Sequence, residues 1–220
     1  MVTDVNGLVL QVISRKEYQE KYFRYEALVR EELVFLLCKL SETTVTDAAS
    51  AFGVEAGARI SPLYQNIYNL STVEYKELYG AALSNTYQLM PPRLFGEVEL
   101  KHMDFTFGGR FMEGSMDELY KRKWFIREGC NGFRLTNTLW YGGAIAAFYP
   151  GVLDRLRGIF RSDLYLTFPG RHVARIHPIF SASPGEIKYA LDAYREEALE
   201  KDILSPFVYR YDGKEMRAIC

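Results

Sequence analysis

Residues 132–178 read GFRLTNTLWYGGAIAAFYPGVLDRLRGIFRSDLYLTFPGRHVARIHP, the densest alternation of apolar segments and turn signals in the chain. Residues 133–136 form a short strand candidate. The small apolar run 142–148 reads as helical, Pro150-Gly151 re-angles the chain, and residues 152–160 give a second helical segment. Residues 164–168 read as a strand, Pro169-Gly170-Arg171 as a turn, and 172–177 as the antiparallel return. Helix and strand signals interleaved with tight turns predict an α+β arrangement.

Toward the C-terminus, Ser183-Pro184-Gly185-Glu186 opens a capped amphipathic helix with Ile187, Leu191, Tyr194 and Leu199 on one side. Segments 207–211 and 215–219 flank Asp212-Gly213, a hairpin signal. Upstream, residues 124–127 are a strand candidate before the turn-rich EGCNG. Ser115 with Glu118 caps a short helix, and 104–112 suggests a hairpin or lid loop. Residues 97–102 alternate polar and apolar, as a half-exposed strand does.

The N-terminal part reads differently. After a strand candidate over 2–13, Tyr18, Tyr22, Tyr25, Val29, Leu33, Leu36 and Leu40 fall at steps of three and four, which predicts a helix over 16–40. Thr44 to Asp47 caps a helix that stops near Gly53, and Ser61-Pro62 starts another. Ser71 to Glu74 opens a helix running to about Met90, which Pro91-Pro92 ends. The expected fold class is therefore α+β. A helical N-terminal part, 1–92, packs on a C-terminal part, 93–220, built from a mixed, mainly antiparallel sheet with covering helices, as separate units or one compact domain.

Composition removes several function classes. Hydrophobic residues at 48% and charged residues at 25% are ordinary for a globular chain. A net charge of −1 gives no bulk attraction to nucleic acid or anionic membrane. Cys38, Cys130 and Cys220 are odd in number and widely spaced, which fits a reducing compartment and no disulfide framework. The start, MVTDVNGLVLQV, lacks a signal-peptide pattern, and no apolar run approaches membrane-spanning length. A cytoplasmic location is expected.

LTNTLWYGGAIAAFYPGVLDRL, then DLYLTFPGRHVARIHP, then a capped helix and SPFVYRYDGKEM together resemble a bacterial family of unknown function. Its members carry an LTN–GAA–YPGVL–DLY core and end on an S…VYxYD hairpin, and ELYGAALSNTYQLMPP is similar to their ELY–NT–PP segment. The likeness spans roughly 71–217 and is carried by Leu135, Thr136, Asn137, Gly142, Ala144, Tyr149, Pro150, Gly151, Leu153, Asp163, Leu164, Tyr165, Ser205, Tyr209 and Tyr211. This chain departs by an inserted segment, 97–123, and by Phe-Pro-Gly-Arg-His where relatives are Ser-rich and acidic. The resemblance implies a shape, not an activity. Relatives are typical of mobile-element gene cargo, which implies an accessory or host-interaction role.

Catalytic and metal chemistry find little support. His172 and His177 have odd separation, so one strand places them on opposite faces, and His102 is distant. Cys130, His172 and Asn137 contain the groups of a Cys–His–Asn nucleophile arrangement, but EGCNG reads more simply as a turn bearing a thiol. No phosphate-cradling or dinucleotide glycine motif is present. Arg155, Arg157, Arg161, Arg171 and Arg175 fall close together and suit a phosphate or an acidic partner, while Asp154, Asp163 and Glu128 equally suit neutralising them, which is the favoured reading. The expected function is binding of another macromolecule, a protein partner, through Arg155, Arg171, His172, Arg175 and Tyr149, with no catalytic residue, metal or cofactor. Nucleic acid and membrane are not expected as partners. A hydrolase using Cys130 and His172, and a helix-turn-helix regulator using 44–70, are the alternatives.

Overall fold

Residues 33–38, Leu-Val-Phe-Leu-Leu-Cys, are buried without a break. A helix of this amphipathic type turns some of six consecutive side chains to solvent, whereas a strand covered on both faces hides them all. In the computed structural model, which describes residues 7–24, 27–40, 60–63, 72–96, 109–121, 129–197 and 203–220, the run is a strand. The chain divides into two compact units, Met1–Met90 and Pro91–Cys220.

In the first unit, β1 (Leu8–Ser14) leads into α1 (Arg15–Glu17) and a π-helical turn, Tyr18–Tyr22. β2 (Ala27–Arg30) and β3 (Leu33–Leu40) form a hairpin, and β4 (Ile60–Pro62) pairs with the far end of β3. All pairings are antiparallel, with β3 between β1 and β2. The helix expected over 16–40 is thus corrected to a helical turn and a hairpin. Arg30 faces Leu33, so Glu31 and Glu32 make a two-residue loop, with Glu31 left-handed at φ 50°. The helix expected to start at Ser61-Pro62 is likewise a strand at residues 60–62, and the helix expected over 44–53 lies outside the described residues.

Val9, Ile13, Val34, Leu36 and Cys38 form one core cluster, with Tyr18, Tyr22 and Ala27 packed against it. Burial pushes the Cys38 thiol up to about 12, so it packs as a small apolar side chain. Helix α2 (Thr72–Leu89) is the helix expected from its cap and its proline stop. Its buried Thr86 hydroxyl donates to the Ala82 carbonyl (2.6 Å) and accepts the Leu10 N–H (2.9 Å), while Asn85 Nδ2 donates to the Leu8 carbonyl (3.1 Å). Two main-chain groups of edge strand β1 are thereby satisfied by a helix.

The second unit holds a six-stranded sheet in the order β10-β9-β7-β8-β6-β5, every pairing antiparallel. β5 (Pro92–Phe95) begins on the proline expected only to stop a helix, and its edge position spares Pro92 a ladder N–H. Helix α3 (Met116–Lys121) follows, then a 3-10 turn, Gly129–Asn131, and β6 (Phe133–Asn137). A 3-10 segment, Gly143–Phe148, packs across β6 and β8. Gly143 is obligatory there, because a Cβ would strike Thr136 and the His172 carbonyl. Helix α4 (Val152–Phe160) buries Val152, Leu156, Ile159 and Phe160. β7 (Leu164–Gly170) and β8 (Val173–Pro178) turn at Arg171-His172, one residue later than expected, after a register shift between Thr167 and Gly170.

Helix α5 (Pro184–Glu197) starts at a reciprocal box, with Glu186 N–H on Ser183 Oγ (3.3 Å) and Ser183 N–H on Glu186 Oε2 (2.8 Å). β9 (Val208–Tyr211) and β10 (Met216–Ala218) close the sheet as the hairpin expected around Asp212-Gly213. The strands expected at 97–102 and 124–127 lie outside the described residues.

Candidate functional site

The arginines singled out by sequence serve separate tasks. On α4, Arg155 donates from Nε to the Phe111 carbonyl (3.0 Å) and from Nη2 to the Glu113 carbonyl (3.1 Å) and the Gly114 carbonyl. Three main-chain acceptors on one guanidinium make Arg155 the pin of segment 111–114. Arg175 lies within β8, opposite Arg134 of β6 and Thr167 of β7. The Arg171 carbonyl accepts the Ala144 N–H at 3.1 Å. Next to it, His172 is exposed and its Nδ1 accepts the Gly142 N–H (3.1 Å), with the Tyr141 ring 5.3 Å from the imidazole. His172 therefore ties the 137–142 loop to the β7–β8 turn. Tyr149, expected on a binding surface, is corrected to a core residue: only 3% exposed, it closes the 3-10 segment with its N–H on the Ala146 carbonyl.

Cys130, His172 and Asn137 are not brought together. Cys130 is exposed on the Gly129–Asn131 turn, whose Gly129 carbonyl lies 3.4 Å from His177 Nδ1. His172 stands at the other end of β8, and five residues of strand span roughly 16 Å. The Asn137 amide is spent on its own loop, accepting the Leu139 N–H (3.0 Å) and donating to the Tyr141 carbonyl (2.8 Å). His177 is buried, which pushes its pKa down to about 4 against the opposing pull of the Gly129 carbonyl, with Arg175 adding to the depression. Gly132 is needed beneath that ring, since a Cβ there would meet His177 Cε1 at 2.5 Å. No group of three or more metal-ligating side chains occurs among the described residues.

A different place gathers exposed chemistry. An open groove of about 760 Å³ is lined by Asp154, Arg157, Arg161, Asp163, Ile179 and Phe180, among others. Its floor follows from the end of α4, where Arg161 turns left-handed at φ 51° and sends Ser162 and Asp163 into β7. Asp163 is bracketed: Arg157 Nε donates to Oδ1 (3.0 Å) and Arg210 Nη2 to Oδ2 (2.8 Å). Those two bonds, Arg210 first, hold its carboxyl below the usual range. Arg161 donates to Asp117 at 2.7 Å, and the Tyr211 hydroxyl donates to Asp154 at 2.6 Å. Burial and that bond push Tyr211 up to about 12.

The apolar wall is fastened to the same corner. Ser162 Oγ donates to the Asp163 carbonyl (2.8 Å) and accepts the Ile179 N–H (3.2 Å), which also reaches the Asp163 carbonyl (3.1 Å). The turn is thereby held while its side chains stay in water, Ile179 at 39% and Phe180 at 58% exposure. Sequence reading named Arg157, Arg161, Asp154 and Asp163 but missed Ile179, Phe180 and Arg210. An apolar pair between a strand's final Pro178 and the cap Ser183 was a legible signal. The Asp163–Arg210 pair was not, since it depends on the β7–β9 register that sets Tyr165 opposite Arg210.

No protein-family model, curated protein or solved structure matches this chain. No helix among the described residues is long and apolar enough to cross a membrane.

Proposed function

We propose that this protein acts by binding a protein partner on the face around the α4 groove. The observation that carries the reading is the juxtaposition of the exposed Ile179-Phe180 pair with guanidinium groups already fixed by Asp163. Aromatic and arginine side chains dominate the energetics of protein interfaces. Side chains fixed before association lose less conformational freedom on binding. This is the accessory role that the family likeness implies. Relative to the expected site, the binding face moves from Arg171, His172 and Arg175 to Arg157, Arg161 and Phe180. Among the described residues, Cys130 and His172 lie at opposite ends of β8, so no geometry there supports the hydrolase alternative. The regulator alternative meets a strand at Ile60–Pro62, and most of 44–70 lies outside the described residues.

The test is affinity capture from the native cell with the wild-type chain and with Phe180→Asp, followed by reconstitution from the purified captured protein. A partner retained by the wild type, weakened at least about tenfold by Phe180→Asp at unchanged melting temperature, and rebound in purified form supports the reading. Equal retention by the variant overturns it.

A further inference from the structure

We infer that Arg93 anchors a small-oxyanion site at the β5 edge of the second unit, taking a phosphate or carboxylate group on the Nε–Nη2 side of its guanidinium. The inference is independent of the α4 groove, whose residues take no part in it. Arg93 lies on an edge strand, opposite Thr136 of β6, yet it is only 8% exposed. An arginine cannot shed its proton to escape burial, so its charge and its five N–H donors both call for partners. Among the described residues it has few. Its guanidinium makes one hydrogen bond, Nη1 donating to the carbonyl of its own neighbour Pro92 (3.0 Å), and its buried Nε meets no acceptor.

The acceptors nearest to it are already spent. Arg110 and Glu113 both act on the charge of Arg93, which sets the 109–114 loop beside it. Within that loop the Gly109 carbonyl takes the Leu94 N–H (2.9 Å). The carbonyls of Phe111, Glu113 and Gly114 take Arg155. Charge points the same way. Burial first, and then Arg110, push the Arg93 guanidinium below its ordinary pKa, against the pull of Glu113. Glu113 is exposed and pairs with Arg110 at 3.8 Å, so it is not a counter-ion dedicated to Arg93. Arg93 itself has no ion pair among the described residues. A water molecule would satisfy the Nε hydrogen bond and leave the buried charge unanswered. An oxyanion answers both, because two of its oxygens match the parallel Nε–H and Nη2–H donors of one guanidinium.

The experiment follows the arginine Nε–H signals of the isotopically labelled full chain in an amine chloride buffer at fixed ionic strength. Inorganic phosphate and acetate are titrated separately, and Arg93→Lys identifies the Arg93 signal by its loss. At least one ion is expected to move that signal saturably and to raise the melting temperature by about 2 °C or more at ten times its half-saturating concentration. Phosphate binding at least about fivefold tighter than acetate assigns a phosphate group, and any smaller preference assigns a carboxylate. The melting shift should vanish in Arg93→Met. If that variant does not fold, the wild-type Nε–H signal decides alone. An Arg93 signal unmoved by either ion, or a melting shift that persists in Arg93→Met, would overturn the inference. A signal that moves in Glu113→Gln and with neither ion overturns it too, because the chain's own carboxylate then fills the position.

Discussion

Two apolar segments invite the same first reading and fold oppositely. Residues 33–40, LVFLLCKL, and residues 152–160, VLDRLRGIF, both place large aliphatic side chains at helical spacing. In α4 the intervening positions are Asp154, Arg155 and Arg157, and only Val152, Leu156, Ile159 and Phe160 are buried. In β3 the intervening positions as far as Cys38 are themselves apolar, only Lys39 being charged, and residues 33–38 are buried throughout. Matching the occupied positions of a period therefore decides little. The positions between them decide, because a surface helix must turn polar groups to water and a strand covered on both faces has none to turn.

The sharpest way to break this comparison is Phe35→Glu. On the helical stripe expected over 16–40, residue 35 faces solvent and tolerates a charge. In β3 its side chain is only 5% exposed, so the substitution buries a carboxylate and should cost at least about 3 kcal/mol, read by denaturant unfolding. A loss below about 0.5 kcal/mol would restore the helix.

Acid tests the second unit by comparison with the first, since all three histidines of the chain lie beyond Met90. His177 titrates at about 4 when folded and near its ordinary 6.5 when unfolded. The unfolded chain takes up the proton first, so the contribution is complete above pH 6.5 and is lost as pH falls through 4. The loss approaches roughly 3 kcal/mol at pH 4, and His177→Phe should flatten it. Hydrogen exchange of β8 amides, compared with those of β3 across that window, measures it. An unchanged pH profile in the variant would contradict the assignment.

Gly143→Ala comes next, at about 2 kcal/mol, because its methyl must displace Thr136 and the main chain at His172. Gly80→Ala on α2 meets open space and should be neutral or stabilising by up to about 1 kcal/mol. Thermal melts of the two variants compare a packed glycine with an unpacked one. The smallest effect belongs to Lys188→Ala on α5, which removes an i,i+4 pair with Asp192 that is partly exposed on both sides. It should cost no more than about 0.5 kcal/mol and should fade in high salt.

Much of the second unit was legible locally. Helix α4 lies where Gly151 and the charge pattern place it, and α5 starts on its expected capping box. The hairpin turn at Asp212-Gly213 has the Asp212 carboxylate accepting the N–H groups of Lys214 and Glu215. Each of these signals acts over a few residues, so composition and spacing carry it. Strand β5 was not legible, because a proline at a sheet edge and a proline ending a helix look alike until the neighbouring strand is known. The candidate site was half legible for the same reason. Arg157, Arg161 and Asp163 stood out as a charged run, but their partners Arg210 and Asp117 come from distant parts of the chain.

The sequence by itself determined the α+β class, the helices α2, α3 and α5, the terminal hairpin and the absence of the glycine motifs that hold nucleotides. These rest on backbone preferences and on periodicity within single segments. Only the tertiary structure decided that 16–40 turns back as a hairpin, that Tyr149 is core, that Arg155 pins main-chain carbonyls, and that Asp163 links α4 to β9. A side chain's burial and its ionic partner are properties of surfaces brought together across the chain, and no local pattern contains them.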